Sequence, residues 1–264
     1  MTSPIFFGDP ELVADAVPGS VFALTGPEAR HAVAVKRLAP GEDVDIVDGA
    51  GTRLRGTVRS ADPALLEVDV REVDAEPAPD CEITLVQALA KGDRDEQAIE
   101  AATELGVDAV LPWQSERSIV RWRAEKAAKG QAKWRAVVTS AAKQSRRSRI
   151  PHVLDAADSK TLSRRLEGTD LVLVLHEEAG TALAGAVEAA LLQGSAAGSP
   201  GGETSGIRSV AVVVGPEGGI SPAELQALGA AGAVPVRLGP HVLRSSSAGP
   251  AALVLLNHLL GRWD

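Results

Sequence analysis

The stretch Val210-Ala211-Val212-Val213-Val214-Gly215-Pro216-Glu217-Gly218-Gly219 decides the fold of this 264-residue chain. A mostly β-branched run with no polar face is the pattern of a strand covered on both sides of a parallel sheet. A glycine-bearing loop ends it. Ser221-Pro222-Ala223-Glu224 then carries a capping-box signature with proline at the first helical position, so a helix starts there. A second passage of the same kind follows. The spacing predicts a strand over Val234–Leu238, a loop through Gly239-Pro240-His241-Val242-Leu243-Arg244-Ser245-Ser246, and a helix over Ser247–Leu260. Loops after strands that open on glycine lay backbone N–H and C=O groups against a ligand. Two of them point to one shared small-molecule pocket, and so to an enzyme.

Outward from these loops the pattern stays α/β. Strands are expected at Glu82–Leu89, Ala109–Leu111 and Leu171–Leu175. Helices are expected at Asp93–Leu105 (stopped by Gly106), at Trp122–Ser145 and at Thr181–Leu192. The segment 194–208 is rich in Gly, Ser, Pro and Ala without an apolar period, and reads as a flexible insertion. Before residue 76 the character changes. Alternating runs at Val21–Leu24, Asp43–Val47, Thr52–Arg59 and Leu65–Val70, separated by Pro/Gly/Asp turns, predict a small barrel or sandwich. Glu76-Pro77-Ala78-Pro79-Asp80 is a stiff polar linker. The expected domains are therefore 1–75, a linker at 76–80, and 81–264.

Hydrophobic residues make up 45% of the chain, enough for one large or two ordinary cores. No apolar run is long enough for a membrane span, and Met1-Thr2-Ser3-Pro4 does not open a signal peptide. The single cysteine, Cys81, cannot form an internal disulfide and suits a reducing compartment; a soluble cytoplasmic protein is expected. The net charge is −8, but residues 117–149 hold eleven Lys or Arg against one acid, Glu125. That window carries +10 and the remainder −18. Screening confines distant repulsion to roughly 10 Å at ordinary salt, so a basic stripe on an acidic body still attracts phosphates. Arg117, Arg121, Arg146, Arg147 and Arg149 are its candidate RNA contacts; a solvated helix face is the alternative.

Several chemistries lack support. No dinucleotide or P-loop glycine motif is present, nor a Gly-x-Ser-x-Gly elbow. The five histidines are scattered, and one cysteine supplies no Cys-type metal site, so no metal is expected. What remains is chemistry that needs a positioned cofactor and substrate.

The Val213–Gly219 and Arg237–Arg244 segments resemble the signature motifs of the ribosomal RNA small-subunit methyltransferase E family, within the SPOUT superfamily. Lys91-Gly92-Asp93-Arg94, Thr103-Glu104-Leu105-Gly106-Val107, Ser115-Glu116-Arg117 and Ala141-Ala142-Lys143-Gln144-Ser145-Arg146-Arg147 resemble further family blocks. The resemblance implies an α/β SPOUT domain with a C-terminal trefoil knot, behind a PUA-like β-barrel. It implies methylation of N3 of a uridine in 16S rRNA of the small ribosomal subunit, with S-adenosylmethionine as donor, by a homodimer. It places the cofactor among Leu175, His176, Gly215, Glu217, Gly218, Leu238, Gly239, Leu243 and Ser245. Leu238 and Leu243 would wall the adenine, and the glycines would let backbone approach it.

Glu217 either orients the cofactor or is a carboxylate held by the N-terminus of the Ser221 helix. Arg244 either contacts the substrate or pairs with an acid such as Glu217. With Glu217 it forms the candidate catalytic set. Ser245–Ser247 departs from the threonine-rich sequence expected of the family. In the first domain, Arg30 and Arg37, with His31, Lys36, Arg53, Arg55 and Arg59, could reach RNA phosphates; ordinary surface charge is the alternative. N3 methylation needs no cysteine adduct, so Cys81 reads as packing. Two rivals stand beside the methyltransferase: a non-catalytic RNA-binding assembly factor of the same fold, and an α/β enzyme for another nucleotide-like ligand.

Overall fold

The computed structural model describes residues 3–123, 125–196 and 206–263. It divides into two compact units, one of residues 1–78 and 142–150, the other of 79–141 and 151–264. No described helix is long and apolar enough to cross a membrane.

The first unit contains β1 (Ile5–Phe7), α1 (Pro10–Ala14), β2 (Val21–Thr25), α2 (Gly26–Arg30), β3 (Asp43–Val47), β4 (Thr52–Asp62) and β5 (Leu65–Ala75). They form a five-stranded sheet in the order β1-β3-β4-β5-β2, antiparallel except for the parallel pair β1–β3. The alternating residues anticipated in sequence fill its core: Ile46, Leu54, Val58, Leu66, Val68 and Val70 point one way and are buried with Phe6 and Phe22. Two register shifts in the β4–β5 ladder, at Arg55/Gly56 and Val58/Ser60, add local twist and bend. The short β1, α1 and α2 carry too few residues for a periodic signal and were not expected.

The second unit runs β6 (Glu82–Ala88), α3 (Arg94–Glu104), β7 (Ala109–Gln114), α4 (Glu125–Gln144, whose last residues belong to the first unit), β8 (His152–Val153), β9 (Ala157–Asp158), α5 (Leu162–Arg165), β10 (Leu171–Leu175), α6 (Leu183–Ala196), β11 (Ser209–Val214), α7 (Pro222–Ala230), β12 (Val234–Val236) and α8 (Ser245–Leu259). The strands make one parallel sheet in the order β12-β10-β11-β6-β7-β8, with β9 also paired to β7. Strand β11 lies in the middle, and Val210–Val214 are all buried, as an apolar run covered on both faces should be. Each fully buried valine there contributes about 1.5–3 kcal/mol of burial.

Helix α8 packs close to the sheet through Gly249, where a Cβ would stand 2.8 Å from Leu85. It is tied to the end of α3 by Asn257 Nδ2 donating to the Leu105 carbonyl (2.8 Å). Beyond α8, Arg262 pairs with Asp108 at 2.9 Å.

Several boundaries differ from expectation: β4, β5 and β7 run on to Asp62, Ala75 and Gln114, β12 ends at Val236, and three helices shift. Helix α4 starts at Glu125, so Trp122 belongs to the preceding loop, and α8 starts at Ser245 rather than Ser247. Helix α6 continues to Ala196, into the segment read as an insertion; of that segment, residues 197–205 lie outside the described residues.

Candidate functional site

Sheet order explains how loops far apart in sequence meet. Strands β12, β10 and β11 are neighbours and parallel, with Leu175 beside Val236 and Val174 beside Val213. Their carboxyl ends therefore release three loops at one edge, the position where open α/β sheets bind ligands. The His176 amide donates to the Val236 carbonyl (2.9 Å), fixing the first loop to the third.

Between the loops lies a cleft of about 400 Å³, lined by Leu175, His176, Gly215, Glu217, Leu243 and Arg244 among others. An adjoining pocket of about 170 Å³ is bounded by Leu238, Gly239 and His241 and shares Leu175, His176 and Leu243 with it. Gly215 is needed for the turn itself, because a Cβ there would meet Ile220 Cγ1 at 2.7 Å.

The polar groups are distributed unevenly. Glu217 accepts hydrogen bonds from the Lys91 amide (3.2 Å) and from Arg94 Nη1 (2.9 Å). Burial pushes its carboxyl up, but its own amide, the Lys91 amide and the Arg94 guanidinium outweigh this and hold it below the usual carboxylate range. The N-terminus of α7 does not hold Glu217; that end is closed by the reciprocal Ser221–Glu224 capping box. Nor does Arg244 pair with Glu217. Among the described residues Arg244 has no carboxylate partner, and it lines the cleft as the uncapping N-cap of α8. Next to it Ser245 Oγ, on a residue only 8% exposed, has no hydrogen-bond partner among the described residues. A buried hydroxyl without a protein partner beside a cleft is open to a bond with a ligand atom. His176 Nδ1 accepts from the Glu178 amide (3.2 Å), so the neutral ring carries its proton on Nε2.

Eight of the nine residues expected around a cofactor thus line the two joined cavities. Gly218 does not. It turns toward Arg117, whose Cβ would lie 3.2 Å from an added Cβ and whose Nη1 donates to the Gly218 carbonyl (2.9 Å). Arg117, expected in the basic stripe, is instead the outer support of this loop. Arg94 lines the cleft and received no role from the sequence. One signal was present: a cation at the first position of a helix opposes the helix dipole, and its partner Glu217 accounts for it.

The basic stripe is only partly free, because its acids come from other parts of the chain. Within the second unit Lys133 bonds Glu96 (2.5 Å) and Asp93 (3.4 Å), and Arg121 donates to the Glu116 carbonyl (2.7 Å). Within the first unit Lys143 pairs with Glu28 (2.6 Å) and sits 4.7 Å from the Phe6 ring. Arg149 donates to the Glu76 carbonyl (2.6 Å), which withdraws it from the expected RNA face. Arg53, Arg55 and Arg59 likewise form pairs across the sheet, with Asp45, Asp74 and Asp69. Arg30, Arg37 and Arg146 remain exposed; Arg147 is half-buried. Cys81 is buried, and burial pushes its thiol up to about 11, leaving it without a thiolate at neutral pH.

Residues 24–70 match a family model described as an RNA methyltransferase PUA domain, and residues 76–257 match one described as an RNA methyltransferase domain. A ribosomal RNA small subunit methyltransferase E from Mycobacterium bovis is 43% identical over 95% of this chain and 92% of its own length. The protein of that name from Bacillus subtilis is 29% identical over 90% of each chain. Among solved structures, the ribosomal RNA small subunit methyltransferase E of Neisseria gonorrhoeae, bound to S-adenosyl methionine, aligns with a TM-score of 0.77 at 27% identity and covers 98% of both chains.

Proposed function

The chain belongs to the ribosomal RNA small subunit methyltransferase E family, and from that premise we propose that it methylates N3 of one uridine in 16S rRNA, with S-adenosylmethionine as donor. The observation that carries this reading is the cleft at the ends of β10, β11 and β12. It has apolar walls at Leu175, Ile220 and Leu243, and, among the described residues, a Ser245 hydroxyl without a partner and an arginine without a carboxylate. Its volume of about 400 Å³ falls within the range of small-molecule sites.

Leu238, Gly239 and Leu243 would hold the adenine, with His176 and Ser245 closing polar bonds around the remainder. When bound, the donor supplies a methyl group on a positively charged sulfur, and the S–C bond breaks as the N3–C bond forms. The protein's share is alignment and charge. Uracil N3 becomes nucleophilic as its proton passes to solvent water, and the resulting negative charge spreads to the two ring carbonyl oxygens. Arg244, which lines the cleft and has no carboxylate partner among the described residues, stabilises that charge. Glu217 positions Arg94 and the Lys91 loop at the opposite wall.

The reading includes a cytoplasmic homodimer whose chain is threaded as a trefoil at these loops. The exposed apolar Val242, Val254 and Trp263 are surface a second copy would cover. The test is incubation with small subunits lacking the modification and methyl-labelled donor, followed by nucleoside digestion. The expected product is N3-methyluridine. Label in C5-methyluridine, in ribose or nowhere would overturn the assignment.

A further inference from the structure

We propose that a second cleft, backed by Trp122 and fronted by Arg164 and Arg165, receives one nucleotide of the RNA strand flanking the methylated base. This rests on the reading of ribosomal RNA as substrate. The cleft has a volume of about 470 Å³ and lies within the second unit, between Gln114, Trp122, Asp158, Thr161 and the two arginines.

Its position connects it to the first cleft. Gln114 and Asp158 are the last residues of the parallel strands β7 and β9, so it opens at the same carboxyl edge of the sheet. The loop that follows Gln114 reaches Arg117, which is bonded to the Gly218 carbonyl of the donor-side loop. One loop therefore runs from this cavity to the outer side of the loop that walls the other.

Its chemistry fits a nucleotide better than a bare phosphate. The Trp122 ring is pre-set. It lies on Gly130, where a Cβ would come within 2.4 Å of it, and stands edge-to-face on Trp134 at 5.6 Å. The Trp122 amide donates to Gln114 Oε1 (2.8 Å), fixing the loop to the strand end. A half-buried aromatic face held this way stacks a base at little entropic cost. Arg164 is exposed and has no ion-pair partner among the described residues; Arg165 reaches Asp155 only at 3.8 Å. Asp158 Oδ1 is bound by Thr161 and the Lys160 amide, which keeps the carboxylate anchored in its own turn. That negative charge disfavours a phosphate beside Asp158. The phosphate belongs at Arg164 and Arg165, and base N–H groups belong toward Asp158.

The experiment measures steady-state methylation of unmodified small subunits by Arg164→Glu and by Trp122→Ala. Arg164→Glu is expected to raise KM for the subunit about tenfold, to leave kcat and donor affinity within about twofold, and to reduce the salt slope of binding by about one. Trp122→Ala should act in the same direction. Because Trp122 also packs on Trp134, its thermal unfolding is recorded alongside, and Arg164→Glu decides the outcome if that variant is unstable. Unchanged KM and salt slope in Arg164→Glu would overturn the proposal. So would tight binding of AMP lost in Arg164→Glu while subunit KM stays the same, since the cleft would then serve a free nucleotide. Should the wild-type protein fail to methylate subunits, the proposed activity fails. Filter binding of the same subunits then still reads the effect of Arg164→Glu separately.

Discussion

Arg244 and Arg94 line the same cleft, yet among the described residues only Arg94 has a carboxylate partner, Glu217 at 2.9 Å. A guanidinium already neutralised by an acid has less to offer a developing negative charge, so the two arginines take different roles. Arg244→Ala is expected to lower kcat by roughly 10²–10³, the scale of removing one charge-stabilising donor. Donor affinity measured by calorimetry should stay within a few-fold. Retained turnover would exclude Arg244 from the chemistry. Most individual residues of the cleft were legible through the resemblance of the two loop segments to family motifs; alone, a glycine after a strand reads as a turn and Leu243 as core. Their partners were not. Nothing local to Gly215–Gly219 says that Glu217 belongs to Arg94, more than a hundred positions away, or that Gly218 faces Arg117.

At the scale of elements, the ends of helices α3 and α7 bear more than helix formation. The Ser221–Glu224 capping box was legible as a sequence pattern, but Glu224 does further work. It is buried, and Oε1 also accepts from the Glu116 amide (2.8 Å) and from Ser159 Oγ (2.5 Å). It thereby joins α7 to the loop that supports Gly218. Glu224→Ala should cost about 2–4 kcal/mol in urea unfolding, more than the roughly 1 kcal/mol of an exposed cap, because several donors lose a buried charged acceptor.

In α3, Asp95 is 6% exposed, and burial pushes its carboxyl up to about 6 from an unfolded value of 3.8. Above that range the folded state carries a desolvated charge. Between about pH 6 and pH 4 it takes up a proton that the unfolded chain does not, so this cost is relieved on acidification. Asp95→Asn should therefore be more stable than wild type at pH 7, by on the order of 2 kcal/mol. The gap should close by pH 4, as followed by thermal unfolding at each pH; a gap independent of pH would contradict this origin. Long or wholly apolar elements such as β11 were readable because periodicity needs length. Two-residue strands β8 and β9 and the single turn α5 have none, and β9 and α5 help line the Trp122 cleft.

For the whole molecule, charge is the property that sequence order misrepresents most. Counting along the chain finds few acids near Arg117–Arg149, whereas folding brings Glu28 to Lys143 and Glu96 to Lys133 from elsewhere. The cations left at the surface, Arg146 among them, are the ones expected to reach phosphates. Arg146→Glu should weaken subunit binding and flatten its dependence on log salt by about one, with no change in donor affinity. Lys143→Gln should act mainly on stability. The parallel sheet followed from patterning, but strand order did not, nor did the place of residues 142–150 in the first unit rather than with 81–264. The order β12-β10-β11 is what brings the loops together.

A crystal structure with S-adenosylmethionine tests that convergence most directly. The donor should lie between residues 175–177, 215–219 and 238–245, its methyl group facing Arg244. Donor bound at any other edge of the sheet, with these loops making no contact to it, would contradict the account.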